Sequence, residues 1–317
     1  MKKLLAIGEA LIDFIPDESG KELRYVGAFQ PKVGGAPANV CGAYVKLGGE
    51  ASLLTQLGDD PFGDKIIEEF TACGIDCSHV KRTKKANTSL AFVALKDDGN
   101  REFSFYRKPG ADMLMEAKDV DGAWFEDAFA LHFCSVSLGD YPMKEAHRKA
   151  IDCALRAGAM ISFDPNIRLP LWENPESLRN VIWEFAPMAH VLKISDEELE
   201  FITGKNDIEE ALPRLFAGNT RLVIYTKGSE GAECYTEHAG AFAAGQKVQA
   251  VDTTGAGDGF IGAFLFCMAR DGVDASSVSL LPKEKMEEYL AFANRFCGKS
   301  VVRHGAIASY PSLAEMR

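Results

Sequence analysis

Six short, almost wholly apolar runs recur along this chain, at residues 4–7, 51–56, 130–134, 160–163, 191–194 and 222–226, and stretches of helical periodicity separate most of them. Continuous apolar runs of strand length belong to strands buried on both faces, with the intervening helices as crossovers. The alternation predicts βαβ units and an α/β fold, a mainly parallel sheet flanked by helices on both faces. The helical stretches carry stop signals. Val40, Ala43, Tyr44 and Leu47 make one face before Gly48 and Gly49, and Ala150, Ala154 and Leu155 precede Gly158. Further on, Pro282 can open a helix whose face is Met286, Tyr289, Leu290, Ala293 and Phe296.

Two places break this rhythm. Residues 89–95 and 102–107 flank Asp97-Asp98-Gly99-Asn100, and residues 11–16 and 23–29 flank Ser19-Gly20, both hairpin signals. These four strands have no helices of their own to cover them. They predict a small antiparallel sheet standing off the main body as a lid, over about 11–32 and 88–108, with a solvated face or an apolar face that needs a second subunit. No Pro/Ser-rich linker, charge run or internal repeat divides the chain, so residues 1–317 are expected to form one domain.

A chain of 317 residues with 47% hydrophobic and 26% charged side chains can bury a large core, which excludes a disordered or fibrous protein. Its 46 acidic residues against 35 basic ones leave a charge of -11, which repels a phosphate backbone and argues against nucleic acid as a partner. No window reaches about 18 uninterrupted apolar residues, and the run at 4–7 meets Gly8-Glu9 instead of a signal-peptide core. A cytoplasmic protein without membrane association is the expectation. The eight cysteines are scattered without CxxC pairs, and Cys73 and Cys77 have no partner histidine pair. They read as reduced core thiols, which moves zinc hydrolysis and Cys/His catalysis out of the front rank.

The chemistry concentrates in two segments. Val251-Asp252-Thr253-Thr254-Gly255-Ala256-Gly257-Asp258-Gly259-Phe260 sets three glycines and two carboxylates ahead of a helix in which Phe260, Ile261, Phe264, Leu265, Phe266 and Met268 leave almost no polar face. The start of such a helix lies inside the protein, where the N–H groups of Gly255, Ala256 and Gly257 call for an anion such as phosphate. A carboxylate at Asp258 would repel that anion unless it has a task, such as accepting the proton of an attacking hydroxyl. Alternatively, Asp258 only caps the helix. Gly257-x-Gly259-x-x-Gly262 also matches a dinucleotide loop, which would make the chain a nicotinamide oxidoreductase, but no strand follows to place the acid that the fingerprint requires. A Walker A loop is missing, since Ala293 stands where Gly298-Lys299-Ser300 would need a glycine.

The second segment is Gly34-Gly35-Ala36-Pro37-Ala38-Asn39. Paired glycines let a ligand approach the backbone, and Asn39 offers a donor and an acceptor, as a polyhydroxylated sugar requires. An ordinary loop leading into a helix is the plain alternative. Asp13 could anchor hydroxyls, or be no more than a strand end.

Gly34 to Asn39 (GGAPAN) and Asp252 to Asp258 (DTTGAGD), about 220 residues apart and in this order, resemble the two signatures of the ribokinase-like (PfkB) carbohydrate kinases. The resemblance covers essentially the whole chain. Arg107-Lys108-Pro109-Gly110-Ala111-Asp112, residues 163–172 (FDPNIRLPLW) and 193–199 (KISDEEL) are most similar to bacterial and plant fructokinases. The resemblance implies an ATP-dependent sugar kinase whose reaction takes place beneath the lid, with fructose phosphorylated to fructose 6-phosphate. Asp258 would be the base, and Gly255, Ala256 and Gly257 the anion hole. Asp13, Gly34, Gly35 and Asn39 would hold the sugar, with donors from Arg168 and Arg107. Lys193, Thr226, Lys227 and Gly228 would line the nucleotide's phosphates and ribose, and Asn294 the adenine, although residues 226–229 also read as a strand end and turn.

For Mg2+, the family's Asn-x-x-Glu is here Ser195-Asp196-Glu197-Glu198, also a capping box, and Glu198 would act through water. A K+ site would use Asp252 and Thr254 with Ser300, Arg303, Gly305 and Ser309 of a later loop. A homodimer through the lid is the implied assembly. Within the class, 2-keto-3-deoxygluconate, ribose and an aminoimidazole riboside remain as acceptors, Arg107 and Arg168 keeping an acidic sugar open. A non-catalytic sugar-binding relative would be expected to have lost Asp258 or the turn before it.

Overall fold

Leu4, Leu5, Ala6 and Ile7 are wholly excluded from solvent because their strand is hydrogen-bonded on both sides and covered on both faces. The computed structural model describes residues 2–18, 20–95 and 101–317. In chain order they form β1 (Lys3–Ile7), β2 (Leu11–Pro16), β3 (Phe29–Gly34), α1 (Ala36–Lys46), β4 (Ala51–Leu54), β5 (Gln56–Gly58), α2 (Pro61–Ala72) and β6 (Lys81–Thr83). There follow β7 (Ser89–Leu95), β8 (Arg101–Tyr106), β9 (Ala128–Cys134), α3 (Pro142–Arg156), β10 (Met160–Asp164), α4 (Pro175–Phe185), β11 (Val191–Ser195), α5 (Asp196–Thr203) and α6 (Ile208–Leu215). The last elements are β12 (Leu222–Thr226), β13 (Gly231–Tyr235), β14 (Gly240–Ala244), α7 (Ala256–Arg270) and α8 (Lys283–Ser300).

The main sheet has the order β14-β13-β12-β11-β10-β9-β1-β4. From β4 to β12 every pair is parallel, and β13 and β14 close that edge as an antiparallel hairpin that the apolar runs did not announce. Alternate residues of β1 feed two cores. Leu4 and Ala6 join the apolar faces of α1, α7 and α8, while Leu5 and Ile7 join those of α3, α4 and α5. Strand order reverses at β1, whose chain continues toward β4 on one side and whose other neighbour is β9. In open α/β sheets, ligands bind at such a switch point, beyond the carboxyl ends of the strands.

The second sheet has the order β3-β2-β7-β8. Two antiparallel pairs, β2 with β3 and β7 with β8, meet along a parallel seam between β2 and β7. The expected strand at 23–29 is corrected: residues 23–25 make a 3-10 turn and the strand begins at Phe29. Pro31 is tolerated because β3 is an edge strand. The expected turn at 97–100 and Ser19 lie outside the described residues. Phe14, Phe29, Phe92 and Tyr106 form a chain of ring contacts at 4.6–5.3 Å along this sheet, and Tyr106 is 65% exposed.

Helix α8 buries all five expected residues behind an N-cap at Pro282. In α3, Ala150 and Ala154 are buried but Leu155 is exposed, so the expected face is narrower by one residue. Among the described residues no helix is long and apolar enough to cross a membrane.

Candidate active site

Residues of both informative segments meet at the carboxyl ends of the central strands. Gly255 is the N-cap of α7 at φ +72°, and a Cβ there would lie 2.7 Å from both Ala306 and the Tyr310 hydroxyl, which donates to Gly255 O at 2.6 Å. Gly259 N–H is the first to bond back along the helix, to Gly255 O at 2.7 Å, and Ala256 N–H turns to Thr253 O at 3.2 Å. Gly257 and Asp258 N–H therefore stand ahead of the ladder, at the positive end of a helix buried along most of its length. Gly259 and Gly262 have another cause. A Cβ on Gly259 would crowd Tyr310 and Phe296, and one on Gly262 would meet Ala43 Cβ at 2.7 Å and Val40 O at 2.8 Å. These two glycines serve helix packing, which removes the dinucleotide-loop reading.

Asp258 is not the helix cap, since Gly255 holds that position without any side-chain bond. Its carboxylate, 9% exposed, accepts from Asn39 Nδ2 at 2.9 Å. Burial pushes the Asp258 carboxyl up to about 6; the Asn39 hydrogen bond opposes this, Asp164 adds to it, and Arg168 and Lys193 oppose it. Asn39 itself is buried in the first turns of α1, and among the described residues its Oδ1 has no hydrogen-bond partner.

The loop before α1 is held against the end of β1. Gly35 has φ +128°, and a Cβ on it would stand 2.4 Å from Glu9 O, so only glycine lets the two backbones cross. A Cβ on Gly34 would lie 2.2 Å from Asp13 Oδ2, which places the Asp13 carboxylate directly over this loop.

Lys193, inside β11, reaches the same place from the sheet. Its ammonium is 3.5 Å from where a Gly257 Cβ would stand and donates to Asp164 Oδ2 at 2.7 Å. Burial works against the lysine charge, yet Asp164, Glu198 and Asp258 hold its pKa above the usual range. Glu198 does act as a cap: its oxygens accept from Ser195 N–H at 3.0 Å and Ile167 N–H at 2.7 Å. Arg168 is exposed, with Nη1 on Ile167 O at 2.9 Å.

Other expected residues are more committed than the sequence suggested. Arg107, taken as a sugar donor, is 7% exposed and bonds Asp112, Val136 O and Ser137 Oγ, which makes it an internal strut. Thr226 ends β12, Lys227 pairs with Glu233, and Gly228 opens a turn at φ +50° with open space beside it. Asn294 Nδ2 donates to Ala243 O at 2.8 Å and Ala244 O at 3.2 Å, tying α8 to β14.

Around the expected K+ loop, Asp252 Oδ1 accepts from Thr254 N–H and Oγ1 at 2.9 and 2.6 Å, and Oδ2 from Gly305 N–H at 2.9 Å. Ser300 and Ser309 bond each other at 2.6 Å. The Arg303 side chain pairs with Glu315 at 2.9 Å, half exposed, which leaves its backbone to face the loop. Among the described residues no three His, Cys, Asp or Glu side chains converge as a metal cage.

Two carboxylates escaped the sequence reading. Asp164 ends a parallel strand, a position where such sheets carry ligand-binding residues, and that was its available signal. Glu9 follows β1 in the same way, 3% exposed, with burial pushing its carboxyl up to about 7 against the pull of Arg107.

Known proteins resemble this chain along its whole length. The model of the pfkB family carbohydrate kinase matches residues 1–313. The chain is 40% identical over 314 residues to probable fructokinase-5 of Arabidopsis thaliana, covering 98% of this chain and 95% of that protein. The fructokinase of Xylella fastidiosa with bound ATP superposes with a TM-score of 0.91 at 36% identity, covering 99% of this chain and 96% of the other. The fructokinase of Vibrio cholerae O395, solved with fructose, ADP and a calcium ion, gives 0.87 at 30% identity, covering 100% of this chain and 98% of the other. With a buried carboxylate in the first turn of a buried helix and a likeness that runs the length of the chain, the protein belongs to the pfkB family of carbohydrate kinases, and it is a sugar kinase of ribokinase-like α/β fold.

Proposed function

We propose that the chain transfers the γ-phosphoryl group of ATP to the C6 hydroxyl of D-fructose, giving fructose 6-phosphate and ADP. The observation that carries this reading is Asp258: a buried carboxylate, with its pKa raised to about 6, in the first turn of α7 beside N–H groups free of the helix ladder. Asp258 takes the hydroxyl proton as the sugar oxygen bonds to the γ-phosphorus, and the bond from that phosphorus to the bridging oxygen of ADP breaks. The Gly255–Gly257 turn and the amides that follow it, with Lys193, stabilise the charge on the transferring group. Asp13, Gly34, Gly35, Arg168 and Asn39 hold the sugar, and the unpartnered Asn39 Oδ1 suits a hydroxyl donor. Thr226, Lys227, Gly228 and Asn294 line the nucleotide.

The residues present fit Mg2+ held mainly by nucleotide phosphates and water, because the described residues build no cage of their own and both Glu198 oxygens already accept backbone N–H groups. When bound, Mg2+ neutralises phosphate charge. The Asp252–Thr254–Gly305 contacts bring the loop at 300–309 against the anion-binding turn, which suits K+ activation. Titration of K+ at fixed Mg2+ changes the rate if that site works. The aromatic row on the small sheet suits a homodimer in which residues 11–32 and 88–108 form the lid and cover each other. Similarity to fructokinases over 98% of the chain supports fructose as acceptor. An acidic sugar is disfavoured because, of the two arginines, Arg107 is engaged by Asp112 and only Arg168 stays exposed.

An ADP-release assay with ATP and Mg2+ against fructose, ribose, 2-keto-3-deoxygluconate and an aminoimidazole riboside tests the reading. Preference for fructose, lost in Asp258→Asn, supports it. Turnover of Asp258→Asn at the unmodified rate removes the base.

A further inference from the structure

We infer that Glu9 is a positioning residue that links the strand ends of the small sheet to the sugar-binding loop. This rests on the reading of residues 34–39 as that loop. Glu9 sits between β1 and β2 and carries no part of the chemistry above. One oxygen, Oε1, accepts from Ala36 N–H at 3.2 Å, the residue directly after Gly34-Gly35. The other, Oε2, accepts from Ser137 Oγ at 3.0 Å, just beyond β9. Ser137 Oγ in turn accepts from Arg107 Nη2 at 3.2 Å. Arg107 follows β8 directly, and its Nε and Nη2 hold Asp112, Nε at 2.8 Å. Asp112 also accepts from Ser89 Oγ at the start of β7.

The chain Ser89–Asp112–Arg107–Ser137–Glu9–Ala36 is therefore continuous, and each of its polar side chains is 7% exposed or less. Removing one member strands a buried donor or acceptor, so the others cannot move independently. A displacement of β7 and β8 reaches the backbone at Ala36 through hydrogen bonds alone. Gly35, crossing Glu9 O without room for a Cβ, passes that displacement to Gly34 and Asn39.

The conservative replacement Glu9→Gln keeps an acceptor for Ala36 N–H but sets an amide against Ser137 and leaves Arg107 without its second carboxylate. Steady-state kinetics of the whole kinase should show KM for the sugar raised about 5- to 10-fold, with kcat and KM for ATP within about twofold, a split that loosened folding would not produce. Ser137→Ala should raise KM for the sugar in the same direction, and Glu9→Gln with Ser137→Ala together no more than the larger single change, because both interrupt one chain. If Glu9→Gln does not fold, as judged by its melting curve, Ser137→Ala carries the same measurement.

An unchanged KM for the sugar, equal rises in both KM values, or additive effects in the double variant would overturn the inference. Asp258→Asn is the control in the same assay. Its full activity would count against the proposed function, whereas its inactivity beside an unaltered Glu9→Gln would count against this inference alone.

Discussion

Asp164 at the end of β10 and Asp258 in the first turn of α7 stand close enough to influence each other's charge, yet their surroundings differ. Asp164 is paired with the Lys193 ammonium at 2.7 Å, and both side chains are 5% exposed or less. Asp258 has a neutral amide, Asn39, as its hydrogen-bond partner, although the same lysine reaches into the site. A buried carboxylate with a direct counter-ion orients its partner. One with an amide partner and a desolvated position keeps a raised proton affinity, with a pKa of about 6 for Asp258, as the proposed base role requires. Residue type does not separate the two roles; their neighbours do.

The widest separation between them is expected in turnover. Asp258→Asn should lower kcat by about 10³- to 10⁴-fold while leaving sugar binding intact, read by ADP release and thermal shift. Asp164→Ala attacks the other side: it leaves the Lys193 charge buried without its partner, and should lower stability by about 3–5 kcal/mol in urea unfolding.

A third effect tests the cost of the arrangement. The folded protein binds a proton at Asp258 more tightly than the unfolded chain does, with a pKa of about 6 against 3.8, so this group's contribution falls as pH rises from about 4 through 6. The loss is at most about 3 kcal/mol, and Asp258→Asn should remove it, visible as a flatter dependence of melting temperature on pH. In the unmodified enzyme, kcat/KM should rise about tenfold per pH unit up to about 6 and then level off. The smallest effect is expected from Asn39→Ala. Loss of a hydrogen bond to the ionised carboxylate should move that midpoint upward by about one unit or less, alongside a higher KM for the sugar.

The parts of this molecule legible in advance were those where one residue's environment follows from its near neighbours. Continuous apolar runs gave the parallel strands, and Gly255 to Asp258 ahead of an apolar helix gave the buried N-terminus. Asp164 and Glu9 were not legible because their partners lie far along the chain, 29 residues away at Lys193 and 128 away at Ser137. Arg107 has partners that the sequence reading did not weigh. Its position beside a lid strand suggested a ligand donor, while Asp112, five residues on, had already engaged it. The start of β3 was displaced because residues 23–25 carry strand-like side chains but close a 3-10 turn, with Tyr25 N–H on Glu22 O at 2.9 Å.

The hydroxyl of Tyr310 supports the carbonyl of Gly255 from 55 residues further along the chain. During synthesis, a ribosome delivers Asp258 well before it delivers that support. A nascent chain that stops short of Tyr310 can thus contain both aspartates and both glycine-rich segments and still lack the hydroxyl that holds the turn before α7.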